Sequence, residues 1–269
     1  MKKLFKKEYS DEEAKYHYNS SKNQTKSHLK IIRLIAIAIF IYSLISIIIW
    51  QRDNSNTKKI MSSIYDSMDF TNTIQITDEN GSTADVVDFS KIKKKNNSTV
   101  AWVKVNGTDI DYPVVQHKDN DYYLTHSFDK SKNSAGWIFL DYENSKKFDD
   151  RNTVIYGHNR RDGSMFSTLQ NILEKDWYSN ENNQTITLYT PEKTIHYQVF
   201  SVYKIKSETY YTKNDFKDDA EYEKFLKKIT DRSVHDFKTE VTRDDDILTL
   251  STCGNNKIYR VVLHAKRIN

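Results

Sequence analysis

From Leu34 to Trp50 the chain reads LIAIAIFIYSLISIIIW, 17 residues without a charge, and Ile31 and Ile32 carry the apolar run past Arg33. A bilayer core of about 30 Å takes roughly 17–25 such residues as a helix. Arg33 and Arg52 bracket the run and Trp50 stands at the interfacial position, which predicts one transmembrane helix over 34–50. The run is too long for a cleaved leader, has 33 residues before it, and has no small-x-small cleavage site after it. Beyond it, Ile60, Met61, Ile64, Tyr65 and Met68 recur at helical spacing within 57–70, predicting a packing helix. Residues 71–98 are polar and aperiodic and read as a linker or surface loop.

From Thr99 the pattern changes to short apolar or alternating runs separated by turn signals. These are TVAWVKV (99–105), YPVVQ (112–116), GWIFL (136–140), NTVIYG (152–157), TITLYT (185–190), TIHYQVFSVYKI (194–205), DILTLSTC (246–253) and YRVVLHA (259–265). Two helical patterns interrupt them. A short one begins at Ser164 with Met165, Phe166, Leu169, Ile172 and Leu173 on its apolar face. A longer one over 215–231 carries Phe216, Ala220, Phe225, Leu226 and Ile229. Eight strands with few helices predict a mainly β domain, a closed or nearly closed barrel over 99–269.

Composition adds little until it is divided along the chain. The net charge of +4 invites a nucleic-acid reading, yet residues 1–33 hold nine Lys/Arg against four Asp/Glu. The remainder holds 32 against 33, so the folded part is near neutral and nucleic acid is not an expected partner. The basic tail before the span, against only Arg52, Lys58 and Lys59 just after it, predicts a cytoplasmic N-terminus and an extracellular domain.

Cys253 is the only cysteine, so it has no internal disulfide partner. A lone cysteine is often buried filler, but this one ends a strand run and is followed by Gly254 and Asn255, a strand-to-loop edge suited to an exposed nucleophile. A thiol needs a base or cation beside it to react as thiolate at neutral pH. Of eight histidines, His17 and His28 lie before the span, His117, His126 and His235 read as solvated surface, and His196 and His264 as sheet residues. His158 follows a strand directly, in a polar loop bracketed by Gly157 and Gly163. Arg260, seven residues after Cys253, is either a strand-edge arginine or a guanidinium within reach of an oxyanion. No C-x-x-C or H-E-x-x-H spacing predicts a metal, no glycine-rich loop predicts a phosphate ligand, and Asp244-Asp245-Asp246 reads as a solvated turn.

The segment TLSTC (249–253), with RVV (260–262) after it and NTVIYGHN (152–159) before it, resembles the sortases of Gram-positive bacteria. AWVKVNGTDIDYPVVQHKDNDYYL (101–124), GWIFLDYEN (136–144) and DGSMFSTL (162–169) are similar to class B segments, and the resemblance covers 57–269. It implies an eight-stranded barrel with a long helix between the sixth and seventh strands. It implies a cysteine transpeptidase in which Cys253 is the nucleophile, His158 the acid/base and Arg260 the oxyanion or substrate-positioning residue. The loop before Arg260 is shorter than in many relatives, which leaves Arg267 as a substitute. The same resemblance puts Asn120, Leu124, Tyr156, Ser251 and Thr252 near the substrate groove and Tyr210 and Tyr211 in its wall. The implied partners are surface proteins with a C-terminal sorting signal and an amine on peptidoglycan or its lipid-linked precursor; no cofactor is implied. A sortase of another class and an inactive membrane-tethered binding module are the alternatives, and no second C-terminal span of the pilin-assembling kind is expected.

Overall fold

The structure, a computed structural model, describes residues 10–71, 73–77, 83–206, 208–253 and 258–269; of Cys253 it describes the backbone, and Gly254 and Asn255 lie outside the described residues. The chain forms two compact units, 1–52 and 53–269. In the first, the apolar run is helical and solvent-facing along its length. Ser43 and Ser46 return their hydroxyls to the carbonyls of Ile39 and Tyr42 at 2.8 Å, so the run's two serines are satisfied within the helix. It is long and apolar enough to cross a membrane.

That helix, α1 (Asp11–Tyr65), does not stop where the pattern suggested a separate packing helix. The sequence has no Gly or Pro anywhere in 34–65 to break it. In the second unit the end of α1 buries Ile64 and sets Tyr65 edge-on to Trp102 at 5.5 Å, covering one face of the barrel. Residues 71–98 are not a plain linker. They form a hairpin of β1 (Thr73–Thr77) and β2 (Thr83–Val87), then α2 (Ser90–Lys95). Val86, Val87, Phe89 and Ile92 are buried, which anchors a segment whose polar residues conceal its few apolar ones.

Eight further strands close the barrel: β3 (Thr99–Val105), β4 (Asp111–Val115), β5 (Phe139–Leu140), β6 (Asn152–His158), β7 (Thr185–Tyr189), β8 (Thr194–Lys206), β9 (Ile247–Cys253) and β10 (Tyr259–Arg267). Their order is β10-β8-β7-β3-β4-β5-β6-β9 around the ring. Closure removes the sheet edges, and Trp102, Trp137, Ile155, Val199, Leu250 and Leu263 are among the side chains filling the core. β5 is shorter than GWIFL suggested because Gly136 takes a left-handed φ of 59° and Trp137 donates its N–H to Tyr123 O at 2.8 Å, outside any ladder.

The helical turns also start later than the pattern implied. Met165 has a φ of 58°, so the first one is a 3-10 segment, Ser167–Leu173. After a single turn, α3 (Lys175–Tyr178), the long helix, α4 (Asp219–Thr230), begins where Asp218 caps it, its carboxylate accepting from Glu221 N at 2.8 Å. Tyr222, Phe225, Leu226 and Ile229 then seal it onto Phe200, Tyr203 and Val262. Burial of four such side chains contributes about 1.5–3 kcal/mol each, an upper range.

Candidate active site

Three strand ends meet at one rim of the barrel. β6 and β9 run parallel, in a register that sets His158 opposite Cys253 at their shared C-terminal end. β10 runs antiparallel to β9, and their pairing ends at Val262 and Ser251, two residues short of Arg260 and Cys253.

His158 is held from several sides. Its Nε2–H donates to Leu124 O at 2.8 Å, which leaves Nδ1 as the free nitrogen of the neutral ring among the described residues. Gly136 makes room for it: a Cβ there would lie 2.7 Å from His158 Cδ2 and 2.5 Å from Tyr123 O. A Cβ on Gly157 would come within 2.6 Å of the Phe166 ring. Burial pushes the imidazole below its ordinary pKa, the Leu124 carbonyl opposes that, and the Arg160 cation lowers it further. Arg160 is itself paired with Asp162 at 3.0 Å.

Arg260 is more loosely placed. Its Nη1 donates to Thr252 O at 3.4 Å, and the neighbouring Val261 N–H donates to Thr252 Oγ1 at 2.8 Å. Arg267 lies at the opposite end of β10, pairing with Tyr197, seven residues or about 23 Å from Arg260 at strand rise. It cannot substitute at this rim.

Beside these residues is a cavity of about 190 Å3 whose lining includes Asn120, Leu124, Tyr156, Tyr211 and Arg260. Ser251 and Thr252 are fully buried behind it; Ser251 Oγ meets Tyr211 Oη at 3.0 Å. Tyr210 is not in the lining. Its ring faces the Lys228 ammonium at 3.6 Å, turned 90° from Tyr211. Phe139, Glu208, Thr209 and Thr212 complete the lining without having been anticipated. The last three flank the Tyr210-Tyr211 pair, which was the available signal, whereas Phe139 joins only through its cross-strand pairing with Tyr156. A larger hollow of about 780 Å3 lies between α4 and residues 239–244; it holds none of the predicted site residues, so its size does not make it the site. Among the described residues no group of three or more His, Cys, Asp or Glu is arranged to hold a metal ion.

The other barrel histidines differ from His158. His264 is fully buried, with Nδ1 2.8 Å from Thr249 Oγ1 and Nε2 2.8 Å from Tyr203 Oη. Burial pushes its pKa down to about 3. His117 and His126 are not free surface residues but half-buried plates sandwiching the Tyr122 ring at 4.2 and 4.0 Å.

A model of the sortase domain matches residues 103–268. The chain belongs to the sortase family. Sortase B of Listeria monocytogenes is 34% identical over 242 residues, covering 89% of this chain and 96% of that protein. The solved sortase B of Bacillus anthracis superposes with a TM-score of 0.70 at 34% identity, over 81% of this chain and 99% of that one. The sortase B–substrate complex of Staphylococcus aureus superposes at 0.63 with 35% identity, over 67% of this chain and 84% of that one. These relatives identify a class B sortase, a transpeptidase acting on sorting signals, and the eight-stranded barrel agrees with the expected fold.

Proposed function

We propose that this sortase works as a cysteine transpeptidase through Cys253, His158 and Arg260. The observation that carries the reading is the parallel register of β6 and β9, which brings the backbones of His158 and Cys253 abreast at the rim beside the cavity. In the first step Cys253 gives its thiol proton to Nδ1 of His158, and the thiolate attacks the carbonyl carbon of a Thr in a C-terminal sorting signal. The carbonyl electron pair moves to oxygen, where the Arg260 guanidinium and a backbone N–H stabilise it. Collapse expels the following residue's amine, which takes its proton from His158 and leaves a Thr thioester on sulfur. In the second step an amine on peptidoglycan or its lipid-linked precursor loses a proton to His158 and displaces the thiolate, forming an amide. Nδ1 suits this proton traffic, since Nε2 is engaged by Leu124 O.

The same proposal assigns the chain's layout. Residues 1–33 form a cytoplasmic tail, 34–50 the membrane span, 51–98 the connection, and 99–269 the extracellular catalytic barrel. The test is mass spectrometry after mixing the enzyme with a sorting-signal peptide. The wild type gains an adduct equal in mass to the peptide acid ending at Thr less one water, sensitive to hydroxylamine. Cys253→Ala gains none and turns over no peptide; turnover at the wild-type rate in that variant would sink the reading.

A further inference from the structure

Asp141 stands behind the groove, 5% exposed, just after β5. One carboxylate oxygen accepts from Asn120 Nδ2 at 3.0 Å and from the Tyr156 hydroxyl at 2.8 Å. The other accepts from Glu143 N at 3.0 Å. Asn120 is fixed at its other end too, where Tyr142 N donates to its Oδ1 at 3.0 Å. A carboxylate only accepts, so both groove side chains must point a proton at it. Asn120 then has one amide N–H left and no freedom to flip, because a flip would set its NH2 against the Tyr142 N–H. Tyr156 has spent its only proton on Asp141. Burial and the Asp141 charge both push this phenol far up, so it keeps that proton. Thr212, beside it, partly opposes that rise, but its own hydroxyl proton goes to Thr209 O at 2.8 Å. Both Asn120 and Tyr156 line the cavity, whereas Asp141 does not.

We infer that Asp141 is a positioning residue that sets the hydrogen-bonding polarity of the groove. It leaves an outward N–H on Asn120 and an outward acceptor oxygen on Tyr156. The ligand this arrangement takes is an extended peptide segment offering a carbonyl to Asn120 and an N–H or hydroxyl to Tyr156. The inference rests on the transpeptidase reading above and adds to it a rule for which substrate atoms face which wall.

Asp141→Asn tests it with almost no change in volume. The amide introduced there must keep its oxygen toward the Glu143 N–H, which turns its NH2 toward Asn120 and Tyr156. Asn120 can then no longer donate there without flipping, and Tyr156 accepts from the new NH2 and points its own proton into the groove. The polarity reverses. The expected result is a KM for a sorting-signal peptide raised about 10-fold or more, since buried polar groups are left mispaired. The kcat stays within about twofold, and alkylation of Cys253 by iodoacetamide keeps its wild-type rate. Asn120→Ala, which leaves Asp141 in place, raises KM similarly, and the double variant adds less than about twofold more. A KM for Asp141→Asn within about twofold of wild type overturns the inference, as does multiplicative behaviour of the pair. So does alkylation that falls in step with turnover, which marks a merely structural role. Wild-type turnover of the same peptide is the reference, so an unaffected Asp141→Asn overturns this inference and leaves the transpeptidase reading standing.

Discussion

Of the three histidines on the barrel strands, two stand in contrasting settings, His158 at a strand end beside the groove and His264 deep within the wall. Burial lowers the pKa of both, so a depressed pKa does not distinguish them. What differs is how many ring nitrogens the protein consumes. Both nitrogens of His264 are engaged, by Thr249 and Tyr203, and the Thr249 hydroxyl also lies 2.6 Å from Asn152 Oδ1. Among the described residues, His158 has one nitrogen engaged and one free. The first arrangement ties β10, β9, β8 and β6 together; the second leaves a proton site for chemistry. On the proposed mechanism, that open nitrogen separates a working imidazole from a structural one.

Replacement is the strongest way to break this contrast. His158→Ala is expected to lower kcat/KM for a sorting-signal peptide by about 10^3-fold, within the usual span of general acid–base effects. His264→Gln is expected to leave the same constant within about twofold per folded molecule. Its cost falls on stability, about 1–3 kcal/mol by urea denaturation, because the glutamine amide cannot satisfy both Thr249 and Tyr203. Equal catalytic losses in the two variants would erase the distinction.

Next in size is the pocket that holds the His158 ring. Gly136→Ala forces a side chain into a left-handed backbone and against the imidazole edge and the Tyr123 carbonyl. The expected loss in kcat/KM is about 10^2-fold, the scale of a roughly 1 Å misplacement. The far-ultraviolet spectrum should stay that of the folded barrel, so that lost activity without lost fold is the diagnostic result.

The pH dependence of stability sharpens the contrast with the smallest effect. Both histidines have folded pKa values below the ordinary 6.5, so the unfolded chain binds more protons in this range and stability falls as pH drops. For His264 the window runs from 6.5 down to about 3. Between pH 7 and pH 5 it accounts for about 2 kcal/mol of lost unfolding free energy. In His264→Gln that part of the slope should disappear, leaving the smaller His158 share. An unchanged slope would mean that His264 titrates normally.

Much of this architecture was readable because strands bury alternating or continuous apolar runs. TITLY and TIHYQVFSVYKIK display that pattern plainly, and β7 and β8 follow it. The β1–β2 hairpin did not, because five-residue strands amid polar residues leave too short a period to see. Met165 hid the start of its helical turn, since a left-handed residue leaves no compositional trace. The site divides in the same way. Cys253, His158 and Arg260 stand at strand ends that the pattern marks. The roles of Gly136 and Asp141 arise from contacts with residues 22 and 21 positions away, His158 and Asn120, which no local spacing encodes. Tyr210 and Tyr211 are neighbours in sequence, yet a 3-10 turn sends one toward α4 and the other toward the groove.

The parallel pairing of β6 and β9 also governs when the site can exist. Parallel neighbours need a crossover, and here about 95 residues separate His158 from Cys253, including β7, β8 and α4. Contacts so distant along the chain form late, after the loop between them has been closed by its own structure. In a nascent or half-folded chain the backbones of His158 and Cys253 are therefore not yet abreast. On the mechanism proposed above, reactivity would arrive together with the finished barrel, and the topology would act as a timing device.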